Sequence, residues 1–129
     1  MIRLPGDMVC LTPEEAVLTH VPAVYELRGL IGRLTTDYDA VDPCGKAIDD
    51  YVYATLSRKV SLKEVRNFID SEPIFSSFSE HEKAIFVRSG DITATLRTML
   101  AREAGAKLKE TIAKTVSSAL GAVMSELKG

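Results

Sequence analysis

The 129-residue chain contains no tryptophan, and aromatic residues make up only 6% of it, so its interior has to be built mainly from aliphatic side chains. That composition suits helix packed on helix better than a β-sandwich. Cysteine is equally scarce. Cys10 and Cys44 are too few for a disulfide framework, and the sequence leaves open whether they are bridged. His20 and His81 are the only histidines. A zinc-binding helix needs two histidines one turn apart, and no Cys-x-x-Cys pair exists, so the sequence predicts neither a metal nor a cofactor. No stretch approaches the roughly 20 consecutive apolar residues of a membrane span. Met1–Asp7 lacks the basic-then-apolar layout of a secretory signal. The expected location is the cytoplasm, or a virion assembled there, with no membrane partner.

Apolar residues make up 46% of the chain and charged residues 26%, a globular balance that excludes a disordered or collagen-like protein. The length fits one domain, and no repeat, low-complexity tract or long linker divides it, so residues 1–129 read as a single helical domain. The net charge of −2 argues against a protein that coats nucleic acid. Charge is unevenly distributed. Residues 1–50 carry four Lys/Arg against nine Asp/Glu, and residues 51–129 carry twelve against nine. An acidic half and a mildly basic half suit contacts between neighbouring copies.

Helix starts are explicit. Thr12-Pro13-Glu14-Glu15, Ser61-Leu62-Lys63-Glu64 and Ser79-Glu80-His81-Glu82 each place a hydroxyl three residues before a glutamate. In such a capping box each side chain satisfies a backbone N–H that the first helical turn leaves unpaired. Val60 and Val65 stand at the two positions of a hydrophobic staple around the second start, and Asp42-Pro43 is a fourth start with Asp as the cap. These signals predict an all-α, compact bundle of about six helices. The first runs from Pro13 to about His20, with a kink or fresh start at Pro22, and the next extends to about Leu34. Residues 35–42 form a loop. Helices follow from Pro43 to about Arg58, from Leu62 to Asp70 and from Glu80 to Arg88, the last closed by a left-handed Gly90. Asp91 caps a helix carrying Ile92, Leu96, Met99 and Leu100, which Gly105 breaks. Ile74, Phe75 and Phe78 are expected to be buried in the segment before the Ser79 start. A long amphipathic C-terminal helix spans Ala106 to Leu127, with Leu108, Ile112, Val116, Leu120 and Val123 on one face.

Candidate chemistry fails on spacing. Cys44, near a helix start, sits where unpaired N–H groups would stabilise a thiolate, but Asp42 beside it opposes that, and the bland reading is a small apolar residue. Asp37 and Asp39 open a calcium-loop pattern that breaks down, because Asp42 stands where Gly is needed and Ile48 where a bidentate Glu is needed. Pro43-Cys44-Gly45-Lys46 lacks the glycine-rich stretch and the Ser/Thr of a phosphate loop. Gly29-x-x-Gly32 lies in an apolar run without basic flanks, which fits helix packing rather than nucleic-acid clamping. Arg58, Lys59, Lys63 and Arg66 raise a helix-turn-helix question, but the following helix opens Glu80-His81-Glu82 and would repel phosphate.

No acid, base and nucleophile set emerges, so the expectation is a non-enzymatic protein–protein interaction or structural subunit. It would form a homo-oligomer or larger complex with other protein subunits, of which a viral head-to-tail connector is one instance. The alternative is a small helical binding regulator of a protein or nucleic-acid partner. The expected interaction residues are Lys107, Lys114, Ser118 and Gly121 on the C-terminal helix, with Asp37, Asp39 and Asp42 as the complementary acidic surface.

Overall fold

The computed structural model describes residues 1–34, 49–107 and 110, with the side chains of the first helix described as far as Tyr25. The architecture is mostly helical, with a small three-stranded antiparallel sheet in which an N-terminal hairpin is joined by a strand from the middle of the chain. Strands β1 (Ile2–Leu4) and β2 (Met8–Cys10) form a hairpin in the register Ile2↔Cys10, Arg3↔Val9, Leu4↔Met8. The turn between them is Pro5-Gly6-Asp7, where Gly6 has φ +76° and Asp7 φ +56°. Proline followed by a positive-φ glycine is the signature of a type II turn, and aspartate tolerates the left-handed region better than most residues. Strand β3 (Val60–Ser61) adds to β2 in the register Met8↔Ser61, Val9↔Val60.

Helix α1 (Pro13–Leu34) starts at a complete capping box: the Glu15 N–H donates to Thr12 Oγ1 at 3.2 Å and the Thr12 N–H to Glu15 Oε1 at 2.9 Å. The fresh start expected as one outcome at Pro22 is absent, and α1 runs through it as one helix. Proline inside a helix costs about 3 kcal/mol, because its ring crowds the carbonyl four residues back and leaves it without a donor. Here Pro22 and Leu18, which bears that carbonyl, both lie on the exposed side of α1. Water can therefore solvate the freed oxygen, while Ala16, Ala23 and Val24 hold the other side in the core.

Helix α2 is described over residues 49–56 and buries Val52 and Leu56 completely. Helix α3 (Leu62–Ser71) follows β3 directly. Its cap is half-made: the Glu64 N–H donates to Ser61 Oγ at 3.1 Å, while the Glu64 carboxylate accepts from Arg58 at 2.9 Å. Val60 and Val65, the staple pair, are both fully buried. A 3-10 turn (Pro73–Phe75) then leads to α4 (Glu80–Ser89), which has the full Ser79–Glu82 capping box. Only part of the expected anchor in this region is buried. Phe75 packs edge-on to Phe78 at 5.3 Å and against Phe86 at 5.5 Å, whereas Ile74 is 72% exposed. Successive side chains of a 3-10 turn point about 120° apart, so adjacent residues cannot both face one core.

Helix α5 is described over residues 93–107, and Glu110 is helical as well. Asp91 accepts from the Thr93 N–H at 3.1 Å, as a first-turn cap should, and Ile92, Leu96, Met99, Leu100 and Ala104 face the core. Two glycine expectations are corrected. Gly105 does not break α5. Gly90 is extended (φ −82°, ψ 168°) rather than left-handed, and a Cβ there would meet the Phe86 carbonyl oxygen at 2.6 Å. Glycine serves close approach at that point, not positive φ. The Asp42-Pro43 helix start, the 35–42 loop and the C-terminal helix beyond residue 107, Glu110 excepted, lie outside the described residues.

Polar contacts tie these elements together. Thr19, buried in α1, donates to the Glu15 carbonyl and accepts from Arg97 Nε of α5, both at 2.7 Å. Arg58 bridges Glu64 of α3 and Glu103 of α5 at 2.9 and 2.8 Å.

A candidate interaction surface

The sequence-predicted site residues do not gather into one place among the described residues. Lys107 is exposed on α5, and its ammonium lies 5.8 Å from the centre of the Tyr51 ring, a cation–π contact with its own chain. Asp37, Asp39, Asp42, Lys114, Ser118 and Gly121 lie outside the described residues.

The chemistry-bearing side chains are dispersed. His20 Nε2 lies 3.2 Å from the Asp49 carbonyl oxygen, and the ring stands edge-on to Tyr53 at 6.2 Å. His81 is exposed in the first turn of α4, and Cys10 is half-buried in β2. Among the described residues, no three His, Cys, Asp or Glu side chains are grouped to hold a metal ion. A groove of about 420 Å³ runs between α3 and α4 to the hairpin tip, with Leu62 and Val87 among its lining and Lys63, Arg66, Arg88 and Asp7 around it. Its charges are largely spent on the protein itself. Arg66 donates to Asp70 at 3.0 Å and also pairs with Glu80, and Arg88 faces Asp7 at 3.5 Å. The Arg66 guanidinium beside Asp70, helped by Lys83, holds the Asp70 carboxyl below its ordinary range. The basic run read as a helix-turn-helix candidate is thus partly consumed in ion pairs, through Arg58 and Arg66.

The feature that packing among the described residues does not explain is the outer face of α1. Val17, Leu18, Val21 and Tyr25 are 51%, 65%, 54% and 77% exposed. A single exposed leucine is unremarkable, but a row of large apolar side chains on one helix is a candidate contact surface. At 100° per residue, Leu18, Val21, Pro22 and Tyr25 fall within one stripe, opposite the buried Ala16 and Ala23. Since α1 is continuous to Leu34, the same register carries the stripe onto Gly29 and Gly32. Glu14 begins it; the carboxylate is exposed and has no partner among the described residues.

Sequence reasoning missed this face because it divided α1 at Pro22, which hid the alignment of Leu18 with Tyr25. The signal was present: read as one helix, residues 13–34 carry two apolar faces, one more than a surface helix needs. Among the described residues, no helix is long and apolar enough to cross a membrane, so the second face is not part of such a span. No protein-family model, no curated protein and no solved structure matches this chain.

Proposed function

We propose that the protein is a non-enzymatic protein–protein interaction subunit that assembles with other protein chains, its own copies first, through the outer face of α1. The observation that carries this reading is the row Leu18, Val21 and Tyr25, left exposed on a helix whose opposite side is already buried. Covering these side chains removes apolar area from water at about 25 cal/mol per Å², a driving force with no counterpart among the described residues. A structural component of a larger, connector-like particle located in the cytoplasm is one form of this reading. The role of Lys107, Lys114, Ser118 and Gly121 opposite Asp37, Asp39 and Asp42 remains part of the same proposal, as a second contact between copies.

The test is solution mass by light scattering behind size exclusion, for the wild type and for Leu18→Gln/Tyr25→Gln. Both side chains point away from the core, so circular dichroism should show unchanged helix content. Expected is a wild-type mass above the 14.1 kDa of one chain and a return towards it in the variant. A wild type that remains at one-chain mass at high concentration would overturn assembly with itself. The binding-regulator reading would then take its place, favoured by the groove between α3 and α4, where exposed Lys63 has no ion-pair partner among the described residues.

A further inference from the structure

We propose that the groove between α3 and α4 is a docking site for a short acidic segment of another protein, one that alternates carboxylates with apolar side chains. The site is separate from assembly through α1, since none of its lining residues belongs to that helix. At about 420 Å³ the groove falls within the range of roughly 300–1,000 Å³ typical of sites that hold a ligand. Its end wall is fixed: the Leu62 N–H donates to the Asp7 carbonyl at 2.8 Å, tying the hairpin tip to the start of α3. The apolar part of the lining is Leu62, which is half-buried, with Ala84 and Val87.

Charge selects the ligand. The lining holds three cations, Lys63, Arg66 and Arg88, against one carboxylate, that of Asp7. Lys63 is exposed and has no ion-pair partner among the described residues. Arg88 faces Asp7 with each terminal nitrogen 3.5 Å from one carboxylate oxygen, and the two side chains are 69% and 63% exposed. A pair that long and that open contributes little, so Arg88 is presented as a fork that a better-placed carboxylate can take over. Arg66 is committed to Asp70 and Glu80, but Lys83 shares both of those acids. Arg3 donates to the carbonyls of Val87 and Gly90 at 3.2 and 2.9 Å and has no carboxylate partner among the described residues. Cations therefore outnumber acids along the groove. A nucleic-acid strand suits it less well than a peptide does. Glu64 stands next to Lys63, Glu80 and Glu82 open α4, and Asp7 closes one end, so an unbroken row of phosphates would meet carboxylates. A peptide can set a carboxylate against Lys63 and Arg88, and an apolar side chain against Leu62 and Val87.

The experiment is fluorescence anisotropy on the full-length protein with a short labelled peptide that alternates aspartate and leucine. Saturable binding is expected at low salt, weakening as salt rises. Lys63→Glu and Arg88→Glu should each weaken it by roughly tenfold at low salt. Arg102→Glu, the same reversal on α5 and outside the lining, should stay within about twofold of wild type. Asp7→Asn removes the one acid of the lining and releases Arg88, and is expected to tighten binding by about threefold. Asparagine tolerates the positive φ of this position as aspartate does, and Lys63 and Arg88 are exposed, so these variants should keep the wild-type urea midpoint. Changing the probe needs no variant at all. Serine in place of its leucines should weaken binding by roughly fivefold or more, and lysine in place of its aspartates should abolish it. No saturable binding, equal weakening by Arg102→Glu, or weaker binding to Asp7→Asn would overturn the site. Equal binding of the leucine and serine peptides would overturn the apolar half of the recognition. A thymidine oligonucleotide that binds more tightly than the peptide and is lost in Lys63→Glu would overturn the acidic protein segment in favour of nucleic acid.

Discussion

The two glycines at either end of the Asp91 connection and the last described helix make opposite predictions for the same substitution. Gly90 donates its N–H to the Phe86 carbonyl at 3.0 Å, and its own carbonyl accepts from Arg3 at 2.9 Å, so its position is fixed from both sides. A methyl group there would lie 2.6 Å from the Phe86 oxygen and 3.1 Å from both Phe86 Cα and Cδ2. Two of those three atoms are backbone and cannot rotate away. Relief requires shifting the end of α4, and with it Phe86, which packs on Phe75 and Phe78. Overpacking of this kind costs typically 1–3 kcal/mol, and about 2 kcal/mol is expected for Gly90→Ala. In a domain of this size that lowers Tm by roughly 6–10 °C. Gly105 is the contrasting case. It lies within a helix, without positive φ, and nothing among the described residues lies within 4 Å of where its Cβ would be. Gly105→Ala therefore gains helix propensity of roughly 0.5–1 kcal/mol, raising Tm by a few degrees. Differential scanning calorimetry on the two variants, with urea titration to confirm unchanged m-values, gives both signs. A Gly90→Ala protein as stable as wild type would refute the account of that close approach. A destabilised Gly105→Ala would refute the open space assigned beside α5.

Two further outcomes concern helix starts. The N-terminal ammonium hydrogen-bonded to Glu15, together with the Thr12 backbone and hydroxyl, holds the Glu15 carboxyl below its ordinary value of 4.5. Its folded pKa is thus lower than its unfolded one, so its contribution is present above about pH 4.5 and is lost as pH falls through the folded value. Glu15→Gln should flatten the loss of urea resistance below that pH by about 0.5–1 kcal/mol, a figure reduced for partial exposure. An unchanged acid limb would show that Glu15 carries none of it. Ser79→Ala removes the oxygen that accepts the Glu82 N–H at 3.1 Å and should cost about 1 kcal/mol, read as a lower urea midpoint. The same midpoint in wild type and variant would mean that water caps α4 equally well.

What the sequence determined was local. The starts of α1, α3 and α4 were legible because a capping box is written within four residues, and in all three the N-cap hydroxyl accepts the expected N–H, although the Glu64 half of the α3 box goes to Arg58 instead. The core face of α5 was legible for the same reason, since Ile92, Leu96 and Leu100 recur at helical spacing and are fully buried. The sheet was not legible, because three-residue strands show too little alternation to register as a pattern. Strand β3 exists only because β2 lies beside it. Pro22 and Gly105 were read as breaks because intrinsic propensity disfavours both, and in both places the surrounding helix overrides it. The candidate surface depended on that override. Only when α1 continues past Pro22 do Leu18, Tyr25 and the glycines share one side, and only tertiary packing decides which side of α1 the core covers.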